Sequence, residues 1–135
     1  MVKDKQAGIC RTEGDTNMKT MLERGAGILM PVSSLPSPYG IGTFGSAAYD
    51  FVDFLKKARQ KYWQVLPVGP TSYGDSPYQS FSAFAGNPYF IDLDILCKEN
   101  LLKKKECESF DWGTSEEYID YGTMYVSRYA LLHKA

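Results

Sequence analysis

The sequence has little of what metal centres and hydrolytic triads require. It contains a single histidine, His133, and three cysteines, Cys10, Cys97 and Cys107. The cysteines form no CxxC pair and lie beside no histidine cluster, so we predict no metal site. An odd number of cysteines without such spacing is typical of free thiols in a reducing compartment. No Gly-x-Ser-x-Gly motif accompanies the histidine, which leaves no pattern for a serine hydrolase.

An excess of charge of one sign is also lacking. Fifteen basic and sixteen acidic side chains are interspersed and give a net charge of −1. This balance leaves no basic stripe or patch, so we expect neither a nucleic acid nor a membrane as partner. No stretch of 18 apolar residues occurs, and residues 1–23 lack the apolar region of a secretory signal. We therefore expect a cytoplasmic protein.

Nucleotide-binding motifs are missing as well. No GxGxxG sequence follows a predicted strand, and no loop ends in GK[ST]. Gly40 and Gly42 precede the first predicted helix, but the third glycine of a phosphate cradle is misplaced. We expect no cofactor.

Aromatic residues, by contrast, are abundant. They make up 14% of the chain, and many lie beside glycine, proline or serine rather than in apolar runs. Composition favours the interpretation that they fill a core, because each ring buries a large area. The alternative is that some line an open cleft, where flat rings stack on sugars.

The first ordered part of the chain resembles a βαβ unit. Residues 1–23 are polar and weakly patterned, and we predict a flexible N-terminal tail there. Short apolar runs at 26–30 and 62–68 predict strands buried on both faces. Between them an apolar stripe with three- and four-residue steps predicts a helix, with Ser46 as its cap. Strand, helix and strand in this order predict a parallel α/β sheet over the start of residues 24–135.

The second half of the chain predicts shorter elements. Residues 89–93 suit a short extended piece, and 94–99 a helix that ends at a left-handed Asn100. Asp92 and Asp94 are interpreted as helix caps.

A polar connector is predicted at 103–114. After it an apolar stripe from Tyr121 to Leu132 predicts a helix. No glycine, asparagine or proline stop signal follows this stripe, so we expect the chain to end inside a helix.

The long segment at 69–88 is the most informative loop. Loops of this length inside a compact domain are usually functional or disordered, and five aromatic rings argue against disorder. Those rings are Tyr73, Tyr78, Phe81, Phe84 and Tyr89 just beyond it. Asp75 is the one acidic residue in an interesting setting. We interpret it as a turn residue whose side chain bonds backbone N–H groups two residues on, rather than as a proton-transfer group.

Three stretches resemble the amylomaltases, also called disproportionating enzymes. They are SLPSPYGIG at 34–42, YWQVLPVGPT at 62–71 and YGDSPYQSFSAFAGNPY at 73–89. The resemblance is dense over residues 24–102 and loose over 118–135, and a match of this length is highly specific. Many members of the family have His-Pro where this chain has Met30-Pro31.

The resemblance implies a (β/α)₈ TIM barrel of which this chain is the N-terminal portion, with the rest of the barrel needed for a stable fold. It implies a 4-α-glucanotransferase that breaks an α-1,4-glucan with retention and passes the segment to another sugar's 4-hydroxyl. The nucleophilic aspartate, acid/base glutamate and stabilising aspartate of the family lie beyond residue 135, so this chain carries no catalytic residue.

Motif position implies the substrate-binding residues. Tyr78 matches a tyrosine that stacks beneath the sugar ring at the cleavage point, and Ser76 a serine of the same cleft. Tyr73 matches a tyrosine of a secondary glucan-binding surface. Asp75 lies between them in the same loop. The alternative interpretation of the chain is a stand-alone, non-catalytic α-glucan-binding or scaffold module.

Overall fold

The computed structural model describes residues 24–115 and 117–135. The predicted tail at 1–23, with Cys10, lies outside the described residues. The elements in chain order are β1 (Gly27–Leu29), α1 (Ser46–Lys57), β2 (Tyr62–Gln64), α2 (Leu93–Lys98), α3 (Lys104–Glu108) and α4 (Tyr121–Lys134). Short 3₁₀ turns lie at Val32–Ser34 and Pro88–Phe90.

The two strands form the predicted parallel pair, with Ile28 opposite Trp63. The ring of Trp63 packs edge-on against Phe51 of α1 at 5.0 Å, and its indole N–H donates to the Met30 carbonyl at 2.8 Å. The prediction that both faces are buried is wrong, since Leu29 is 55% exposed. A strand is buried on both faces only where elements cover both, and the described residues cover the Trp63 side.

Helix α1 begins at Ser46, but the prediction that Ser46 caps it is wrong. The capping residue is Gly45, and it makes no side-chain hydrogen bond. A side chain at Gly45 would run into the carboxylate of Asp92. The close approach of Asp92 therefore requires glycine at the cap and moves Ser46 into the first turn.

The carboxylate of Asp92 connects two distant parts of the chain. Its Oδ1 accepts a hydrogen bond from the Ile95 N–H at 2.9 Å, which confirms Asp92 as the cap of α2. Its Oδ2 accepts from the buried hydroxyl of Thr43 at 2.6 Å. Asp94, also predicted as a cap, instead lies in the first turn of α2 and accepts from the Tyr39 hydroxyl at 2.8 Å. The predicted left-handed residue after this helix is confirmed, because Asn100 has φ of 62°.

Two predictions between 87 and 114 are wrong. Of residues 89–93, predicted as extended, the first two lie in the 3₁₀ turn Pro88–Phe90 and the last begins α2. The turn forms because proline sets the first φ and the Asn87 side chain accepts from the Tyr89 N–H at 2.9 Å. The predicted connector contains α3, whose start is held by the Lys103 N–H donating to Glu106 Oε2 at 3.2 Å.

Helix α4 is confirmed and joins the core clusters. Its cap, Asp120, accepts from the Thr123 N–H at 3.0 Å and from the Thr123 hydroxyl at 2.8 Å. Its buried face presents Met124, Arg128 and Leu131, all at 0% exposure. These positions are three or four residues apart and follow one stripe of the helix.

Arg128 is the unusual member of that stripe. One guanidinium N–H donates to the Ile91 carbonyl, while Nε and Nη1 find no hydrogen-bond partner among the described residues. Removal from water disfavours the charged form, so burial lowers the pKa of the Arg128 guanidinium to about 10. The guanidinium links α4 to the segment that follows the second 3₁₀ turn.

Replacing Asp92 by alanine should lower the free energy of unfolding by about 2 kcal/mol, because α2 loses its cap and the Thr43 hydroxyl loses its acceptor. The matched control is Asp53→Ala on the exposed side of α1, which should change stability by less than about 0.5 kcal/mol. Urea unfolding of the two variants measures both values. Equal losses would show that the Asp92 contacts do not stabilise the fold.

Replacing Asn87 by alanine should lower the free energy of unfolding by ~2 kcal/mol, because the buried N–H of Tyr89 would lose its acceptor. Asn87→Asp retains an acceptor oxygen and should recover most of that loss. Thermal melts of both variants and of the unsubstituted protein compare their stabilities. If the aspartate variant is as unstable as the alanine variant, the hydrogen bond is not the source of the effect.

Candidate functional site

The candidate residues lie in the loop that follows β2. The carboxyl ends of β1 and β2 are adjacent because the strands are parallel. The start of the loop after β2 lies beside the turn after β1, where Pro31 and Ser33 share a small cavity with Pro67, Asp75 and Pro77. Ligands of parallel α/β sheets bind at this edge. Of the four predicted site residues, Asp75 lines the cavity at this edge, and Tyr73, Ser76 and Tyr78 belong to the same loop.

Asp75 lies in a tight turn. Its backbone is left-handed with φ of 54°, follows Gly74 with φ of 96°, and its N–H donates to the Ser72 carbonyl at 3.0 Å. The prediction that its side chain bonds a backbone N–H two residues on is wrong. It accepts instead from the Thr71 hydroxyl at 3.3 Å, which ties the turn back to the start of the loop.

Ser76 and Tyr78 lie on the next turn. The Gln79 N–H donates to the Ser76 carbonyl at 3.1 Å, and the Ser76 hydroxyl accepts from the Tyr78 N–H at 3.4 Å. Pro77 fixes the backbone between them. The Tyr78 side chain is 72% exposed and Tyr73 fully exposed. These rings are presented to solvent from a turn-rich backbone and do not pack into the core.

An aromatic cleft of about 710 Å³ opens between this loop and α4. On the loop side it is lined by Tyr73 and Asp75, and on its floor by Tyr89. On the helix side it is lined by three tyrosines four residues apart, namely Tyr121, Tyr125 and Tyr129. We call this space the tyrosine cleft. The helix side is not among the predicted site residues, because its tyrosines lie within the stripe from Tyr121 to Leu132 that predicted only a helix. The four-residue tyrosine spacing was the available signal.

Two phenols of the tyrosine cleft, those of Tyr89 and Tyr121, are held neutral. Burial, with the nearby Tyr129 phenol, raises the pKa of Tyr89 to about 12. Burial, with the charge of Asp75 adding to it, also raises the pKa of Tyr121. Neutral phenols can donate and accept hydrogen bonds, and their rings offer flat apolar faces. The cleft is therefore suited to an uncharged ligand with both hydroxyl groups and flat C–H faces.

A second open cleft of about 720 Å³ lies between the loop after β1 and the residues that lead into α4. Its lining combines Ser33, Ser34 and Ser37 with Trp112 and Thr114 among others.

The residues that the structure describes contain no cluster of three histidine, cysteine or acidic side chains able to hold a metal ion. Among the described helices, none has the length and apolar character needed to cross a membrane.

Comparisons with known proteins agree on one family. The model of glycosyl hydrolase family 77, described as 4-alpha-glucanotransferase, matches residues 30–135. The 4-alpha-glucanotransferase of Clostridium butyricum is 63% identical over 106 residues, which are 78% of this chain and 22% of that protein. The enzyme of the same name from Streptococcus pneumoniae TIGR4 is 58% identical over 85% of this chain and 23% of its own length.

A solved structure gives the same result. The amylomaltase from Streptococcus agalactiae in complex with acarbose is 48% identical and superposes with a TM-score of 0.80 over 83% of this chain and 23% of its own. The present chain thus spans less than a quarter of the length of these relatives. The family model matches well over half of the chain, and the chain therefore belongs to the 4-alpha-glucanotransferases of glycosyl hydrolase family 77.

Proposed function

We propose that this chain supplies sugar-binding loops to a 4-α-glucanotransferase, which moves a segment of an α-1,4-glucan to the 4-hydroxyl of another glucan or of glucose. The observation that carries the proposal is the exposure of Tyr73 and Tyr78 in the loop that follows the carboxyl end of β2. Large rings held in solvent contribute nothing to a core. Sugars are the ligands whose flat C–H faces match such rings.

The described βαβ unit is, in this proposal, the beginning of a (β/α)₈ barrel. Such a barrel needs about 250 residues and eight strands, and residues 24–135 supply two strands among those described. The uncovered side of Leu29 is then the surface on which the rest of the barrel packs. The catalytic carboxylates lie outside this chain, and residues 24–135 form one truncated part of the barrel domain.

Tyr78 is proposed to stack beneath the sugar at the cleavage point. The face of its ring is negative and attracts the C–H bonds of a pyranose, an attraction that grows as positive charge develops at the anomeric carbon. The hydrogen bond from the Tyr78 N–H to Ser76, together with Pro77, fixes the backbone from which the ring projects. Ser76 thus positions Tyr78 and offers its own hydroxyl to the same sugar.

Tyr73 and Asp75 are proposed to contact glucan on the other side of the turn. Both line the tyrosine cleft together with three tyrosines of α4. Asp75 can accept hydrogen bonds from sugar hydroxyls with the carboxylate oxygen that Thr71 does not use. The structural neighbour in complex with acarbose supports an oligosaccharide ligand.

The relatives named above carry the name of an enzyme, so the alternative of a non-catalytic binding module is not favoured.

The 135-residue chain by itself should not convert maltotriose into glucose and longer maltodextrins. The reason is that retaining transfer needs two carboxylates on either side of the bond, and the proposal assigns them to residues beyond this chain. Thin-layer or anion-exchange chromatography of the products measures the conversion, with the complete protein as positive control. Disproportionation by the purified 135-residue chain would refute this assignment.

In the complete protein, replacing Tyr78 by alanine should lower kcat about tenfold, because a stacking contact is worth ~0.5–1.5 kcal/mol beyond its buried area. The loss should appear mainly in kcat if the contact tightens in the transition state. Tyr78→Phe keeps the ring and should keep much of the rate.

The melting temperature of the same variants separates stacking from folding. Because the ring is 72% exposed, neither substitution should lower the melting temperature by more than a degree or two. A destabilised Tyr78→Ala protein with unchanged kcat would reject the stacking role.

A further inference from the structure

Two cysteine side chains that the glucan site does not use lie side by side. The Sγ atoms of Cys97, near the end of α2, and Cys107, near the end of α3, are 3.7 Å apart. Both are free thiols. The ten-residue separation brings them together because the left-handed Asn100 turns the chain back after α2.

The two thiols differ in access. Cys107 is fully buried and packs with Tyr39, Leu93 and Leu131. Burial, with the neighbouring Cys97 adding to it, raises the pKa of the Cys107 thiol to about 11. Cys97 is only partly buried and lines an open cleft of about 380 Å³. A small molecule can therefore reach Cys97 but not Cys107.

We propose that Cys97 and Cys107 are a redox modification site, in which a hydroperoxide oxidises Cys97 and Cys107 then closes an intramolecular disulfide. In the first step the peroxide transfers one oxygen to the Cys97 sulfur, giving a sulfenic acid and the alcohol or water derived from the peroxide. In the second step the Cys107 sulfur attacks the Cys97 sulfur. The S–S bond forms, the S–O bond breaks, and the hydroxyl leaves as water with the Cys107 proton. Two thiols are oxidised by two electrons and one peroxide is reduced.

The required movement is small. A disulfide has an S–S bond of about 2.05 Å, so the sulfur atoms must approach by roughly 1.7 Å from their 3.7 Å separation. Rotation about χ1 moves a sulfur by more than this. Cys107 is buried in the core with Leu93 and Leu131, so the partly buried Cys97 is the side chain that turns.

The disulfide would connect α2 covalently to α3 beside Tyr39. The ring of Tyr39 contacts Trp112 at 5.6 Å, and its hydroxyl donates to Asp94 of α2. Tyr39 belongs to the loop after β1, and Trp112 lines the second open cleft. Oxidation would thus fix the elements behind that cleft. The inference stands whether or not the glucan assignment is correct.

Peptide mapping tests the proposal directly. The complete protein is treated with hydrogen peroxide, its remaining thiols are blocked with N-ethylmaleimide, and it is digested with trypsin without reduction. Cys97 then lies in the peptide 62–98, Cys107 in 106–128 and Cys10 in 6–11, because lysine or arginine flanks each. We expect 62–98 joined to 106–128 to accumulate with peroxide and to disappear with dithiothreitol.

Variants define the order of the two steps. In Cys107→Ala, Cys97 should accumulate as a sulfenic acid that dimedone traps. In Cys97→Ala, Cys107 should stay reduced at peroxide concentrations that convert the unmodified protein. Cys10→Ser is the matched control and should leave the 62–98/106–128 link unchanged. Should the buried substitution prevent folding, mapping of the unsubstituted protein still decides.

Three outcomes would overturn the proposal. One is oxidation of Cys97 to sulfinic acid in the unsubstituted protein without the cross-linked peptide. Another is a link from either cysteine to the 6–11 peptide in place of the expected pair. The third is recovery of both thiols in reduced form after peroxide has oxidised Cys10.

Discussion

The carboxylate of Asp92 joins three parts of the described fold: the loop after β1, the start of α1 and the start of α2. One oxygen caps α2 and the other accepts from Thr43, 49 positions earlier in the chain. The same group occupies the space that a side chain at Gly45 would need. A single aspartate thus sets where α1 begins, where α2 begins and how closely the two helix starts approach. The loop after β1 and the 3₁₀ turn under the tyrosine cleft are placed relative to each other by this contact.

Parts of this fold were predictable because local physics determines them. The stripes of α1 and α4 recur at helical spacing, and the apolar runs on either side of α1 predicted the parallel pair that the structure contains. Local rules failed where a distant residue decides. Gly45 replaces Ser46 as cap because of Asp92, and α3, with five residues, is too short to show a period. The exposed strands could not be anticipated, because burial of a strand depends on what covers it.

The candidate site also contains residues that the sequence predicted and residues that it did not. The loop residues Tyr73 and Tyr78 were identifiable because a dense motif surrounds them, and the structure leaves both rings in solvent. The opposing wall of the tyrosine cleft was not identified. Tyr121 and Tyr125 satisfy the helical period of a core stripe as well as that of a ligand surface, and periodicity alone cannot distinguish the two. Only the packing of α4 shows that Met124, Arg128 and Leu131 form the buried side.

The buried Arg128 has a consequence for how the chain assembles. Its guanidinium gains one carbonyl, that of Ile91, in exchange for the water it loses. Before the turn at 88–90 has formed, docking of α4 would bury the cation with no acceptor at all, at a cost of several kcal/mol. The chain at 88–91 and α4 therefore have to come together for the guanidinium to find its acceptor. The charge also disfavours a misaligned α4. Rotating the helix by one residue would move Arg128 away from the Ile91 carbonyl and place Tyr129 or Ser127 against that carbonyl. A buried charge with one acceptor thereby selects a single register for the helix that carries half of the cleft.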